Sequence, residues 1–129
     1  MSTGPSTATA NAILNAIGNA TAYSIATPYL QLHTADPGAA GTTAVAGNAT
    51  RKLVSFGVAA SGLMSNDTAI TWTTGEVDTS EDYTHWALFD AVSAGNFIMS
   101  GTVTANAVTT GDEFTIPIGD LDLTITPAA

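Results

Sequence analysis

The chain has 129 residues, a formal net charge of −9, no cysteine, and only Arg51 and Lys52 as basic residues. That balance excludes nucleic-acid binding by counterion release and docking on an anionic membrane, both of which need clustered Lys and Arg. The lack of cysteine excludes disulfides and thiolate metal sites, and no apolar run approaches the ~18 residues of a membrane span.

The length suits one domain, divided as an N-terminal arm and helix over residues 1–18 and a β domain over residues 19–129. Met1–Pro5, small and polar with Gly4 and Pro5, reads as a flexible arm. The N-terminus lacks the basic n-region and long apolar core of a signal peptide, so synthesis in the cytosol is expected. Ser6 or Thr7 can cap a helix over Thr7–Ile17, with Ala10, Ile13, Leu14 and Ile17 at helical spacing and Gly18 as a stop. A helix this short needs a docking partner for its Ile13/Leu14/Ile17 stripe, either the chain's own sheet or another subunit.

Asn19–Thr27 reads as a loop, and Tyr29–Thr34 alternates as a strand before the turn Asp36-Pro37-Gly38. Ala39–Thr50 is mostly Gly, Ala, Thr and Asn, and is expected to form a long exposed loop, ordered by a partner if at all. Further strands are predicted over Arg51–Val58, Gly62–Met64 and Ala69–Thr73, the last with Ile70 and Trp72 inward. Tyr83–Asp90 is the densest aromatic and apolar run. As a strand it places Thr84, Trp86 and Leu88 on one face and Tyr83, His85, Ala87 and Phe89 on the other. Neither face is polar, so the strand is expected to be central and covered on both sides. It forms a hairpin with Phe97–Val103 through Ser93–Asn96. Phe114–Ile116 follows, ended by Pro117, and then Asp120–Ile125 with Leu121, Leu123 and Ile125 inward. The predicted fold is mainly β, an antiparallel β-sandwich of seven to eight short strands with one short N-terminal α-helix.

Chemistry has little footing. His33 and His85 fall inside predicted strands, and no nucleophile elbow or phosphate-cradling Gly loop is present. The acidic loop Glu76/Asp78/Glu81/Asp82, and Asp120/Asp122, lack the alternating ligands and central Gly of a calcium loop. Trp72 and Trp86 face inward, where they cannot stack on a sugar. The Asn-x-Thr matches at Asn19, Asn48 and Asn66 carry little weight in so Asn- and Thr-rich a chain. No catalytic residue, metal ligand or cofactor site is assigned.

Several segments resemble, in order along nearly the whole chain, a family of small virion proteins of tailed phages, especially those infecting actinobacteria. They are the N-terminal helix Ala8–Ile17, Tyr29–Gly38, Thr84–Ala91, Gly95-Asn96-Phe97, Gly111-Asp112 and Ile116–Leu121. Members are labelled minor capsid, head decoration or tail fibre proteins. The resemblance implies a non-enzymatic virion structural role and carries no catalytic residues. The chain shows no repeats and no heptads, which suits a decoration protein on the outer capsid surface, bound to the major capsid protein and stabilising capsomer contacts. It would cluster there as a symmetric homo-oligomer such as a trimer. A tail or tail-fibre component involved in host attachment is the alternative. Candidate interface residues are Ile13, Leu14, Ile17, Tyr23, Tyr29 and Val45, together with the arm Met1–Pro5 and the Ala39–Thr50 loop.

Overall fold

In the computed structural model, which describes residues 2–128, the aromatic run forms the middle of the largest sheet. One helix, α1 (Thr7–Gly18), precedes eight strands: β1 (Tyr29–His33), β2 (Lys52–Leu53), β3 (Leu63–Ser65), β4 (Ile70–Trp72), β5 (Glu81–Phe89), β6 (Phe97–Val108), β7 (Phe114–Ile116) and β8 (Asp122–Thr124). β2, β1, β5 and β6 lie side by side in that order, and β3–β8 and β4–β7 form two separate ribbons. Every pairing is antiparallel, so the fold is mainly β and sandwich-like, as expected.

The register explains the core. Leu30 stands opposite Leu88 and Leu32 opposite Trp86, which places four large side chains on one face of the main sheet. The β4–β7 ribbon supplies the facing layer through Ile70, Trp72, Phe114 and Ile116, and Leu121 joins the same cluster. The Trp72 indole N–H donates to the Thr50 carbonyl at 2.8 Å, so its polar edge is satisfied inside the core. Gly101 lies opposite Trp86, and a Cβ there would fall within the indole ring. The small residue is what lets the tryptophan lie flat across β6.

The second face of the sheet is covered too. Gln31, His33, Ala87 and Phe89 are all buried. Much of the cover comes from the Ala39–Thr50 stretch, expected from its composition to be a loose exposed loop. Asp36 caps the turn before it by accepting from the Gly38 N–H at 2.8 Å. Thr34 N–H donates to Ala44 O at 2.9 Å and Ala46 N–H to Leu32 O at 3.1 Å, so residues 44–46 continue the sheet beside β1. Gly41 sits against Phe97, where a Cβ would come within 2.5 Å of the ring. Small residues here allow close approach of backbone to ring rather than exposure. Arg51 completes the cover, its guanidinium 3.7 Å from the Phe89 centroid and Nη1 donating to Ala91 O and Ala94 O at 2.9 and 2.7 Å.

Four further expectations are corrected. Within residues 2–5 the arm is not free: Ser6 N–H donates to Ile98 O and Ser100 N–H to Gly4 O, both at 2.8 Å, and Pro5 pairs with Met99. Met1 lies outside the described residues. Tyr83 does not share a face with His85, because a register irregularity between them turns Tyr83 into the core, 5.0 Å from the Phe114 ring. Arg51–Val58 yields a strand of two residues only, with Val54 buried and Leu53 exposed. Of the inward trio near the C-terminus, Leu121 is buried but Ile125 is exposed, although its N–H still donates to Gly62 O at 2.8 Å.

Candidate functional site: an apolar helix and groove

α1 starts where its cap chemistry dictates. The Ser6 hydroxyl oxygen accepts from the Thr9 N–H at 3.1 Å, satisfying one of the free donors of the first turn. It ends at Asn19, whose N–H donates to Asn15 O at 2.9 Å, and Ala20 then takes a left-handed φ of 52°. Thr9 is the buried residue of the helix, its hydroxyl bonded to Ser6 and in reach of Tyr23, while Ile13 is the member of the apolar stripe that meets the strands.

That stripe divides. Ile13 is half-buried and lines a groove of about 480 Å³ together with Leu63, Met99, Leu123 and Ile125. Leu14 and Ile17 point away from the protein, 64% and 78% exposed. Tyr23 returns toward the helix, its hydroxyl 3.5 Å from Thr9 Oγ1, and keeps part of its ring in solvent. The structure therefore brings Ile13, Leu14, Ile17 and Tyr23 to one region. It does not gather the other two candidates there by any contact. Tyr29 and Val45 sit at opposite ends of β1, Tyr29 opposite Phe89 and Val45 opposite His33.

Sequence reasoning misses the far wall of the groove. Leu63, Met99 and Leu123 come from three separate strands, and only the antiparallel pairing of β3 with β8 sets Met64 beside Leu123. Their apolar character is visible in the sequence, but their meeting is not.

Charge is arranged around this region rather than in it. No Asp, Glu, Lys or Arg occurs between residues 2 and 35. The carboxylates elsewhere are largely engaged in holding loops. Glu81 accepts from the Gly47 and Asn48 N–H groups at 2.9 and 3.2 Å. Glu76 pairs with Lys52 at 2.7 Å, and this bond, helped by the Thr73 N–H, holds its carboxyl below the usual range. Asp90 is held low by the Asn96 N–H and side-chain amide. Among the described residues, no group of three His, Asp or Glu is placed to hold a metal ion.

The histidines are structural. His33 is fully buried, and its Nδ1 lies 2.8 Å from Thr43 O. A carbonyl only accepts, so Nδ1 carries the proton and Nε2 is a bare nitrogen with no hydrogen-bond partner. Burial pushes its pKa down. His85 stands directly opposite on β5, its Nδ1 2.7 Å from Thr84 Oγ1. Neither histidine lines the apolar groove or the more polar cleft beside Thr104, Thr115 and Asp120. Trp72 and Trp86 are buried and offer no platform for a sugar. Asn66 is buried with its amide donating to Thr68 O and Pro117 O and accepting from Gly119 and Leu121 N–H, so it cannot carry a glycan in this fold.

Comparison with known families decides the class. A family model described as Podophage GP4 fiber I protein gp80 matches residues 4–124. The chain belongs to this family. No curated protein matches it. Membership in the podophage fibre family makes this a phage structural protein and a virion component, in line with the tailed-phage resemblance. The matched span runs from the Gly4–Ser6 segment on β6 to the end of β8, so it includes the helix and the groove lining apart from Ile125. Of the labels that the resemblance carries, the fibre family favours the tail-fibre one over capsid decoration.

Proposed function

We propose that this protein is a fibre-type component of a phage virion that acts through apolar contact with its neighbours and catalyses no reaction. The observation that carries this reading is the family match across residues 4–124. The arrangement of side chains supports it. His33 and both tryptophans are committed to the interior, several carboxylates to loop geometry, and large apolar side chains remain on the helix surface. A protein with its reactive groups spent on folding and its apolar groups in solvent is built for assembly.

Attachment to the outer head surface through the major capsid protein is the weaker reading, because the family is described by a fibre. Cryo-electron microscopy of the intact virion separates the two. Density for this fold on the tail, with adsorption blocked by antibodies against the chain, is the expected result. Copies repeated over the head lattice would replace it with capsid decoration.

A further inference from the structure

We infer that the helix ridge and the groove beside it form a contact between copies of this chain, with Leu14 and Ile17 of one copy seated in the groove of another. This inference rests on the assembly role proposed above and names the partner for that surface. Two observations select a second copy as the occupant.

The first is shape. α1 presents a convex ridge at Leu14 and Ile17, and one turn away the same helix gives Ile13 to a concave apolar groove walled by Leu63, Met99, Leu123 and Ile125. A knob and a hole of matching chemistry lie side by side on one surface, which is what a reciprocal contact between identical chains needs. Val58, 98% exposed, and Ile125 add apolar surface at or near the groove, Val58 preceding the groove residue Ala59.

The second is charge. The chain carries −9, so two copies repel wherever their acidic surfaces meet. The helix and the groove lining contain no charged side chain, and residues 2–35 contain no Asp, Glu, Lys or Arg at all. This is the face on which identical copies can approach without bringing carboxylates together. A cationic partner would be drawn to the acidic surface instead and would gain nothing from this one.

The two occupants respond oppositely to salt. Contact between like-charged copies through an uncharged face strengthens as salt screens the net repulsion, whereas an oppositely charged partner is released. The test is light scattering coupled to size exclusion, on the full chain, over a range of protein concentrations at low and high sodium chloride. We expect a concentration-dependent oligomer whose dissociation constant falls several-fold from low to high salt. Leu14→Asp and Ile17→Asp should each weaken association at least tenfold while leaving the melting temperature of the dilute chain unchanged, because both side chains are already in solvent. Leu53→Asp, on β2 at the opposite edge of the main sheet from the helix, should leave association unaltered.

A chain that stays monomeric at high concentration and high salt would overturn the inference. So would an oligomer dissolved by Leu53→Asp and untouched by the helix variants. Either result leaves the fibre assignment standing, since that is decided by where the protein lies on the virion. Conversely, an oligomer broken by the helix variants, in a protein found on the head, would sustain this contact and remove the fibre assignment.

Discussion

β5 and α1 each carry large apolar side chains, and these end in opposite environments. In β5, Trp86, Ala87, Leu88 and Phe89 are all buried, and the sheet is covered on both faces. In α1, Leu14 and Ile17 remain in solvent, and a threonine is the residue that is buried. The difference lies in what each element finds nearby. β5 is hydrogen-bonded along both edges and fixed before side chains are counted, so each of its faces meets a layer. α1 is fixed at its start by the Ser6 cap and by the Gly4–Ser6 pairing, which aims the helix along the groove and leaves its outer stripe unopposed. Apolarity alone therefore does not report burial. Position relative to the sheet does.

The largest effect should come from cutting into β5. Trp86→Ala removes the side chain that fills the space between Leu32 and Gly101, and should cost about 3–5 kcal/mol in chemical denaturation. If it costs less than about 1 kcal/mol, β5 is not the organising strand. Gly101→Val places branched carbons where the Trp86 ring lies, and should cost about 1–3 kcal/mol through overpacking, with a shift in tryptophan fluorescence. Arg51→Ala removes the cation from the Phe89 face and two bonds to the β5–β6 turn, for about 1–3 kcal/mol.

A fourth prediction concerns pH. Folded His33 has its pKa lowered below the ordinary 6.5, so the unfolded chain takes up its proton first as pH falls. Stability from the neutral ring is complete above 6.5, declines as pH drops through that value, and stops declining below the depressed folded value. Melting temperatures from about pH 8 to 5 should trace this slope, and His33→Gln should flatten it. The loss from Glu76 and Asp90 comes separately and lower, beneath their ordinary values of 4.5 and 3.8, because both are held down in the fold.

The smallest effect sharpens the contrast from the other side. Leu14→Ser with Ile17→Ser should change the stability of the dilute chain by no more than about 0.5 kcal/mol. A loss of several kcal/mol at low concentration would mean that the helix stripe packs within its own chain, as β5 does.

Much of the β layer is legible in the sequence because alternation and turn chemistry are local signals. Ile70 and Trp72 alternate and are buried, Asp36-Pro37-Gly38 turns the chain, and β5 pairs with β6 as a hairpin. The Ala39–Thr50 segment misleads because small residues suggest an inability to bury. Here their smallness is the packing device, with Gly41 against Phe97 and Asn48 drawn in by Glu81. Tyr83 falls on the wrong face by strict period-two counting, which fails across a register irregularity that depends on the partner strand. Of the interface candidates, Ile13, Leu14 and Ile17 follow from helical spacing. The groove they flank depends on which strands pair, and no local pattern encodes that.

The short segment laid along β6 has a consequence for handling the protein. Gly4 and Ser6 occupy backbone groups of Ile98 and Ser100 that would otherwise point outward from the rim of the main sheet. A truncation that begins after the helix would not release a tidy β domain. It would open an unsatisfied strand rim next to Met99 and the apolar groove, a template for stacking chain on chain. The first few residues thus serve as a selvedge, the finished border that keeps a woven cloth from catching on the next piece.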